Sequence, residues 1–143
     1  MQVTPLSRVD PTHKMDAMSL TVSPELQAKA EAGEVSDSDM VECVRTSLPY
    51  AWSIVTRAVD GIGGGLTSEL EEEPPDEQAR GQLLRLLGSD AMKGAVQRHF
   101  GIKLAFQNCC KVGVFKPGAE EQHADFVSNR AQLLNQKPEL VNC

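Results

Sequence analysis

Six apolar residues, Val41, Val44, Leu48, Trp52, Val55 and Val59, follow one another at steps of three or four. That spacing sets them on one helical face, and a face so apolar has to be buried against a second layer. Pro49 lies inside the stripe, where it removes one helical hydrogen bond and crowds the carbonyl of Arg45. A kink or a break is therefore expected near Ser47–Leu48. The stripe stays in phase beyond the proline, which favours the kink.

The flanking sequence supplies the other layers. Ser23-Pro24-Glu25 starts a helix with a Ser cap, Pro at the first position and an acid in the first turn, running to about Ala32 before Gly33. Ser36 and Asp39 stand at capping-box spacing ahead of the striped helix, with Asp where Glu or Gln is usual. Gly61–Pro74, with Gly63-Gly64-Gly65 and an acidic run, reads as a flexible surface loop; its glycines match no phosphate-binding motif. Pro75-Asp76-Glu77 opens a third helix carrying Leu83, Leu84, Leu86 and Leu87. Gly88 ends it, Ser89 caps the next, and Met92, Ala95, Val96 and Phe100 face inward as far as Gly101.

After Gly101 the period changes to two. Ile102, Leu104 and Phe106 alternate with Lys103, Ala105 and Gln107, and Val112 and Val114 with Lys111 and Gly113. A hairpin follows, with Phe106 opposite Val112 and Leu104 opposite Val114. Its reversal falls within Gln107–Lys111 as a three- or five-residue loop, Cys109 and Cys110 stand at an exposed tip, and Asn108 is poorly placed for the left-handed position. Ala119–Gln136 reads as one last helix, striped by Ala124, Val127, Ala131 and Leu134. The fold expected is α+β: about five helices packed around a short antiparallel hairpin, in a single domain over 18–143 behind a flexible tail at 1–17. Open sheet edges, or the helix stripe, would suit a homodimer.

Charge and composition narrow the function. The chain of 143 residues carries 20 acidic and 14 basic residues, a net charge of −6, and its basic residues are scattered. Nucleic acid is disfavoured as a partner, because phosphate binding needs clustered Lys and Arg. No apolar run is long enough to span a bilayer, and the N-terminus lacks a secretory core. A cytoplasmic location is expected, with the four cysteines as reduced thiols.

Two places could carry chemistry. Cys109, beside Lys111 and at a hairpin tip, is the candidate nucleophile or redox thiol. Cys109 and Cys110 with His99 could hold a soft metal, although zinc prefers cysteines two to four residues apart. If the tip is covered, these thiols are instead small core hydrophobes. Cys143 reads as an incidental terminal thiol, and Cys43 as buried beside the stripe. Arg45, Tyr50, Trp52 and Arg57 cluster around the proline and could line a small-molecule pocket, with Trp52 equally suited to the core. His99, at a helix end, suits a capping role; His123 reads as a solvated surface histidine, and His13 lies in the tail.

The strings SLTVSPEL (19–26), VRTSLPYAW (44–52), PPDEQARGQLLR (74–85), RHFGIKLAFQNC (98–109) and RAQLLNQKPEL (130–140) together resemble a family of small uncharacterised actinobacterial proteins over roughly Met18–Cys143. The resemblance implies a cytoplasmic bacterial protein and names no chemistry. Relatives carrying His in place of Cys110 imply that the vicinal pair itself is dispensable. The functional expectation is a non-catalytic binding or accessory protein for a small molecule or protein partner, linked to specialised metabolism. A thiol-dependent enzyme or redox sensor centred on Cys109, and a transition-metal binder, are the alternatives.

Overall fold

The computed structural model describes residues 19–139, so the tail at 1–17, with His13, and Cys143 lie outside the described residues. Seven helices and three strands are present among them. In chain order they are α1 (Pro24–Glu31), α2 (Asp37–Ser47), α3 (Pro49–Asp60), β1 (Thr67–Glu71), α4 (Glu77–Leu87), α5 (Asp90–Phe100), β2 (Lys103–Gln107), β3 (Lys111–Phe115), α6 (Glu120–Phe126) and α7 (Asn129–Leu134). The expected α+β, mostly helical class holds; the helix count and the sheet do not match the expectation.

Local capping chemistry sets most of the helix starts. Ser23, Ser36, Asp76, Ser89 and Ser128 each accept a first-turn N–H through the side chain, and Ser36 with Asp39 forms the full reciprocal box. Helix α3 has no such residue of its own. Leu48 leaves the helical region (φ −126°, ψ 63°), so the proline breaks the striped helix instead of kinking it. Pro49 then takes the first position of α3, where its missing N–H is no loss. The orphan N–H groups of Tyr50 and Ala51 donate to Gln82 Oε1 at 2.7 and 3.3 Å, a cap supplied across space by α4. Both halves of the stripe still face one core, with Val41, Val44, Leu48 and Val55 buried and Trp52 and Val59 half-buried.

The segment 61–74, read above as a flexible loop, contains β1. Its acidic residues hid it: glutamates are poor strand formers, and Leu70 is the one large apolar side chain of the strand. β1 pairs antiparallel with β3, so the sheet runs β1-β3-β2 and the hairpin's second strand becomes central. Cross-strand attraction between Lys111 and Glu69 (3.3 Å) compensates the acidic edge. In the hairpin, Phe106 opposes Val112 and Leu104 opposes Val114, as the alternation predicts. The loop is Asn108–Cys110, and Asn108 does adopt the left-handed conformation (φ 45°), with its Oδ1 accepting from Cys110 N.

Two layers sandwich the sheet. Leu104, Val112 and Val114 face the core built by α2–α5, whereas Ala105 and Phe115 on the other face meet Ala119 and Phe126. The last helix is not continuous. Ser128 interrupts it by donating to Asp125 O and capping α7, and the burial face shifts accordingly. Phe126 and Ala131 are buried, while Val127 and Leu134 from the expected stripe are 53% and 66% exposed.

Candidate functional site

The face covered by α6 is where the structure leaves room. Helix α5 stops at Gly101, whose left-handed backbone (φ 67°) turns Ile102 inward and starts β2 at Lys103. On the neighbouring strand, Phe115 is followed by Lys116-Pro117-Gly118, a turn that leads into α6 through buried Ala119. Between these elements lies a cavity of about 420 Å³, walled by Ile102, Phe115 and Ala119 and rimmed by Arg98, Lys103, Lys116 and His123. The lining surface is mostly apolar, and Arg98, Lys103, Lys116, Glu120 and His123 are its charged or ionisable residues.

Electrostatics single this mouth out. Arg98 is held by Asp37 in a two-pronged pair at 2.7 and 2.9 Å. Lys103 and Lys116, like Lys93 further back along α5, have no ion pair among the described residues. His123 is half-buried, its ring edge-on to Phe115 at 5.2 Å. Burial pushes its pKa down, and the charges of Lys103 and Lys93 push it further, so the imidazole is neutral at pH 7. Glu120 is lowered chiefly by the Gly118 N–H donating to it (3.0 Å), then by the N–H of its own residue and by Lys103. An anion with an apolar body would meet Lys103 and Lys116, the His123 imidazole and an aromatic wall here, with Glu120 as the one carboxylate in the lining.

The residues expected to form a pocket around the proline are placed differently. Arg45 is exposed and pairs with Glu42. Trp52 stacks with Phe100 (5.6 Å) and His99 (6.2 Å) at the surface of the core. Tyr50 and Arg57 meet at Glu72, the phenol donating at 3.4 Å and the guanidinium at 2.9 Å. Burial first, then the Glu72 charge and hydrogen bond, push the Tyr50 pKa up to about 12. Only this last pair converges.

Nor is the hairpin tip open. Cys109 and Cys110 are 5% and 4% exposed, because Asn108 donates to Asn135 O and ties the end of α7 to the loop. Burial, then the charge of Glu71, raises the Cys110 thiol. Cys109, the expected nucleophile, is disulfide-bonded and is not the reduced thiol expected above. His99 packs against Phe100 at 4.7 Å instead of joining the cysteines, and no group of three or more His, Cys, Asp or Glu among the described residues is arranged for a metal ion. Cys43 is buried and donates to Thr21 O, as a structural thiol does.

Lys103, Phe115, Lys116 and His123 escaped the sequence reading, which placed His123 in solvent. The usable signal was the second set of strand positions, Ala105, Gly113 and Phe115, whose small or aromatic residues mark a covered face.

No curated protein and no solved structure matches the chain. A family model described as NucS shadow ORF, with the short name KH_NucS_shadow, matches residues 18–143. Nearly the whole length is covered, including every element that builds the cavity, and the chain belongs to the NucS shadow ORF family.

Proposed function

We propose that this protein is a non-catalytic binding module that takes a small anionic molecule with an apolar body into the cavity between α5, the sheet and α6. The observation that supports it is that Lys103 and Lys116, neither in an ion pair among the described residues, line an apolar cavity beside a single carboxylate, Glu120, in a chain of net charge −6. The family name relates a reading frame to NucS and carries no activity, so the reading also requires a product that folds. Consistency across levels supports folding: five helices carry matching polar caps, and the core has ten large side chains under 2% exposed.

Calorimetric titration of the purified chain with decanoate, a single anionic head on an apolar chain, tests the reading. Saturable 1:1 binding that Lys103→Glu with Lys116→Glu abolishes, while the circular dichroism stays unchanged, is the expected result. Binding that survives the double substitution, or none at all to a cooperatively folded chain, refutes it.

A second reading comes from the label KH, which is also the designation of a nucleic-acid module that clamps backbone nucleotides with a GXXG loop. This chain has that spacing at Gly61-Ile62-Gly63-Gly64, ahead of β1, whereas the turn between α4 and α5 reads Gly88-Ser89-Asp90-Ala91 and places an acid there. The acidic surface ranks this reading second. Fluorescence anisotropy with a single-stranded oligonucleotide would promote it, provided the affinity falls with salt and with Lys103→Glu.

A further inference from the structure

We propose that a second cavity, on the opposite flank of α6, binds a small organic cation rich in N–H donors, an alkyl polyamine or a guanidinium compound. This cavity measures about 390 Å³ and is lined by Thr67, Glu69, Gln107, Lys111, Glu121 and Asp125 among others. Gln107 lies in its wall at 3% exposure. The amide is oriented by its own hydrogen bond, since Nε2 donates to Phe126 O at 2.8 Å and a carbonyl can only accept. Gln107 Oε1 is thereby left as a buried acceptor with no hydrogen-bond partner among the described residues. A buried acceptor without a donor is rare in a folded chain, and it specifies what a visitor must bring: an N–H or O–H group.

The surrounding charges specify the rest. Glu121 and Asp125 stand one turn apart on α6, and neither has an ion-pair partner among the described residues. Glu69 is shared with Lys111 at 3.3 Å, which neutralises that lysine. The net field at the mouth is negative, so an anion is repelled and a cation favoured. A bare metal ion fits poorly, because no three ligating side chains converge among the described residues. A compact cation with several N–H groups can satisfy the Gln107 carbonyl with one donor and the two carboxylates with others, a geometry to which ammonium and guanidinium groups are suited. Helix α6 thus separates two cavities of opposite preference, His123 facing one and Glu121 and Asp125 the other.

The test is calorimetric titration of the full chain with spermidine and, separately, agmatine, each matched against sodium chloride at equal ionic strength. Saturable 1:1 binding of one or both is expected, with affinity falling at least about tenfold in the E121Q/D125N variant, as expected for losing charge-assisted hydrogen bonds. Gln107→Leu should abolish binding too; because it also removes the bond to Phe126, the surface variant carries the decision if that protein misfolds. Lys103→Glu at the other cavity should leave spermidine affinity unchanged. Equal binding by wild type and E121Q/D125N overturns the proposal, as does the absence of saturable heat with both cations. So does a crystal soaked in spermidine whose density shows a water still bonded to Gln107 Oε1.

Discussion

The two faces of the sheet are built to different standards. Toward α2–α5, eighteen buried residues among those described form one continuous core, with Val44, Leu48, Val55, Leu86, Val96, Val112 and Val114 fully excluded from solvent. Toward α6, four residues do the work, Ala105, Phe115, Ala119 and Phe126. The thick face supplies the burial that holds the chain together, and the thin face, too lightly filled to close, retains both cavities described above. Buried core and open volume are divided between the two sides of a three-stranded sheet.

Truncation on each side tests that division most strongly. Leu86→Ala, at 0% exposure in the thick layer, should cost about 3–4 kcal/mol in denaturant unfolding. Phe126→Ala removes a larger side chain, yet should cost less, about 2 kcal/mol, because the exposed helices α6 and α7 can settle into the gap. Equal losses would mean that the faces form one cooperative core of equal weight.

Next in size is Gly113→Ala. A Cβ there would stand 2.9 Å from the Phe115 ring and 3.0 Å from the Phe126 ring, closer than packed atoms tolerate. A loss of about 1–3 kcal/mol is expected from overpacking, and Phe126→Leu in the same chain should restore part of it. Gln82→Leu should cost about 1–2 kcal/mol, since Tyr50 and Ala51 N–H groups lose their acceptor at the start of α3. No change on that substitution would show that water caps α3 equally well.

The smallest effects separate the faces by pH. His123, on the thin face, has a folded pKa below its ordinary value, so the unfolded chain binds the proton more readily; its contribution is intact above about pH 6.5 and is lost on acidification below it. Tyr50, against the thick layer, has its pKa raised to about 12, so its contribution is intact below about pH 10 and lost as pH rises toward 12. The chain has one tyrosine, so phenolate absorbance reads this group alone. His123→Gln should flatten the acid limb of the stability profile and leave the alkaline limb in place.

How far the sequence could be read follows the same division. Caps and periods are local, and Ser23, Ser36, Asp76, Ser89 and the Phe106–Val112 register were all legible because neighbours in sequence decide them. The break at Leu48 was missed as a break because an in-phase stripe says which residues share a core and not whether the backbone between them is helical. β1 was missed because its glutamates face solvent and its pairing partner lies some forty residues on, Glu69 against Gly113. Candidate chemistry fared worst. The cysteines drew the eye as reactive groups, but a tip is exposed only if nothing folds over it, and that depends on Asn135 meeting Asn108. The mouth lysines Lys103 and Lys116 come from opposite ends of the hairpin, adjacent only once the strands pair.

The cap that α4 lends to α3 reaches across 32 positions of sequence, from Gln82 to Tyr50. A helix whose first turn is completed by a distant residue is not fully nucleated by its own segment, so α3 should gain that first turn only after the intervening chain has closed. Its entry therefore belongs to the non-local part of the folding reaction, with β1, whose pairing spans a similar distance. In kinetic terms, Gln82→Leu should accelerate unfolding more than it slows folding, whereas Ser36→Ala, at the locally capped start of α2, should weigh more on the folding limb.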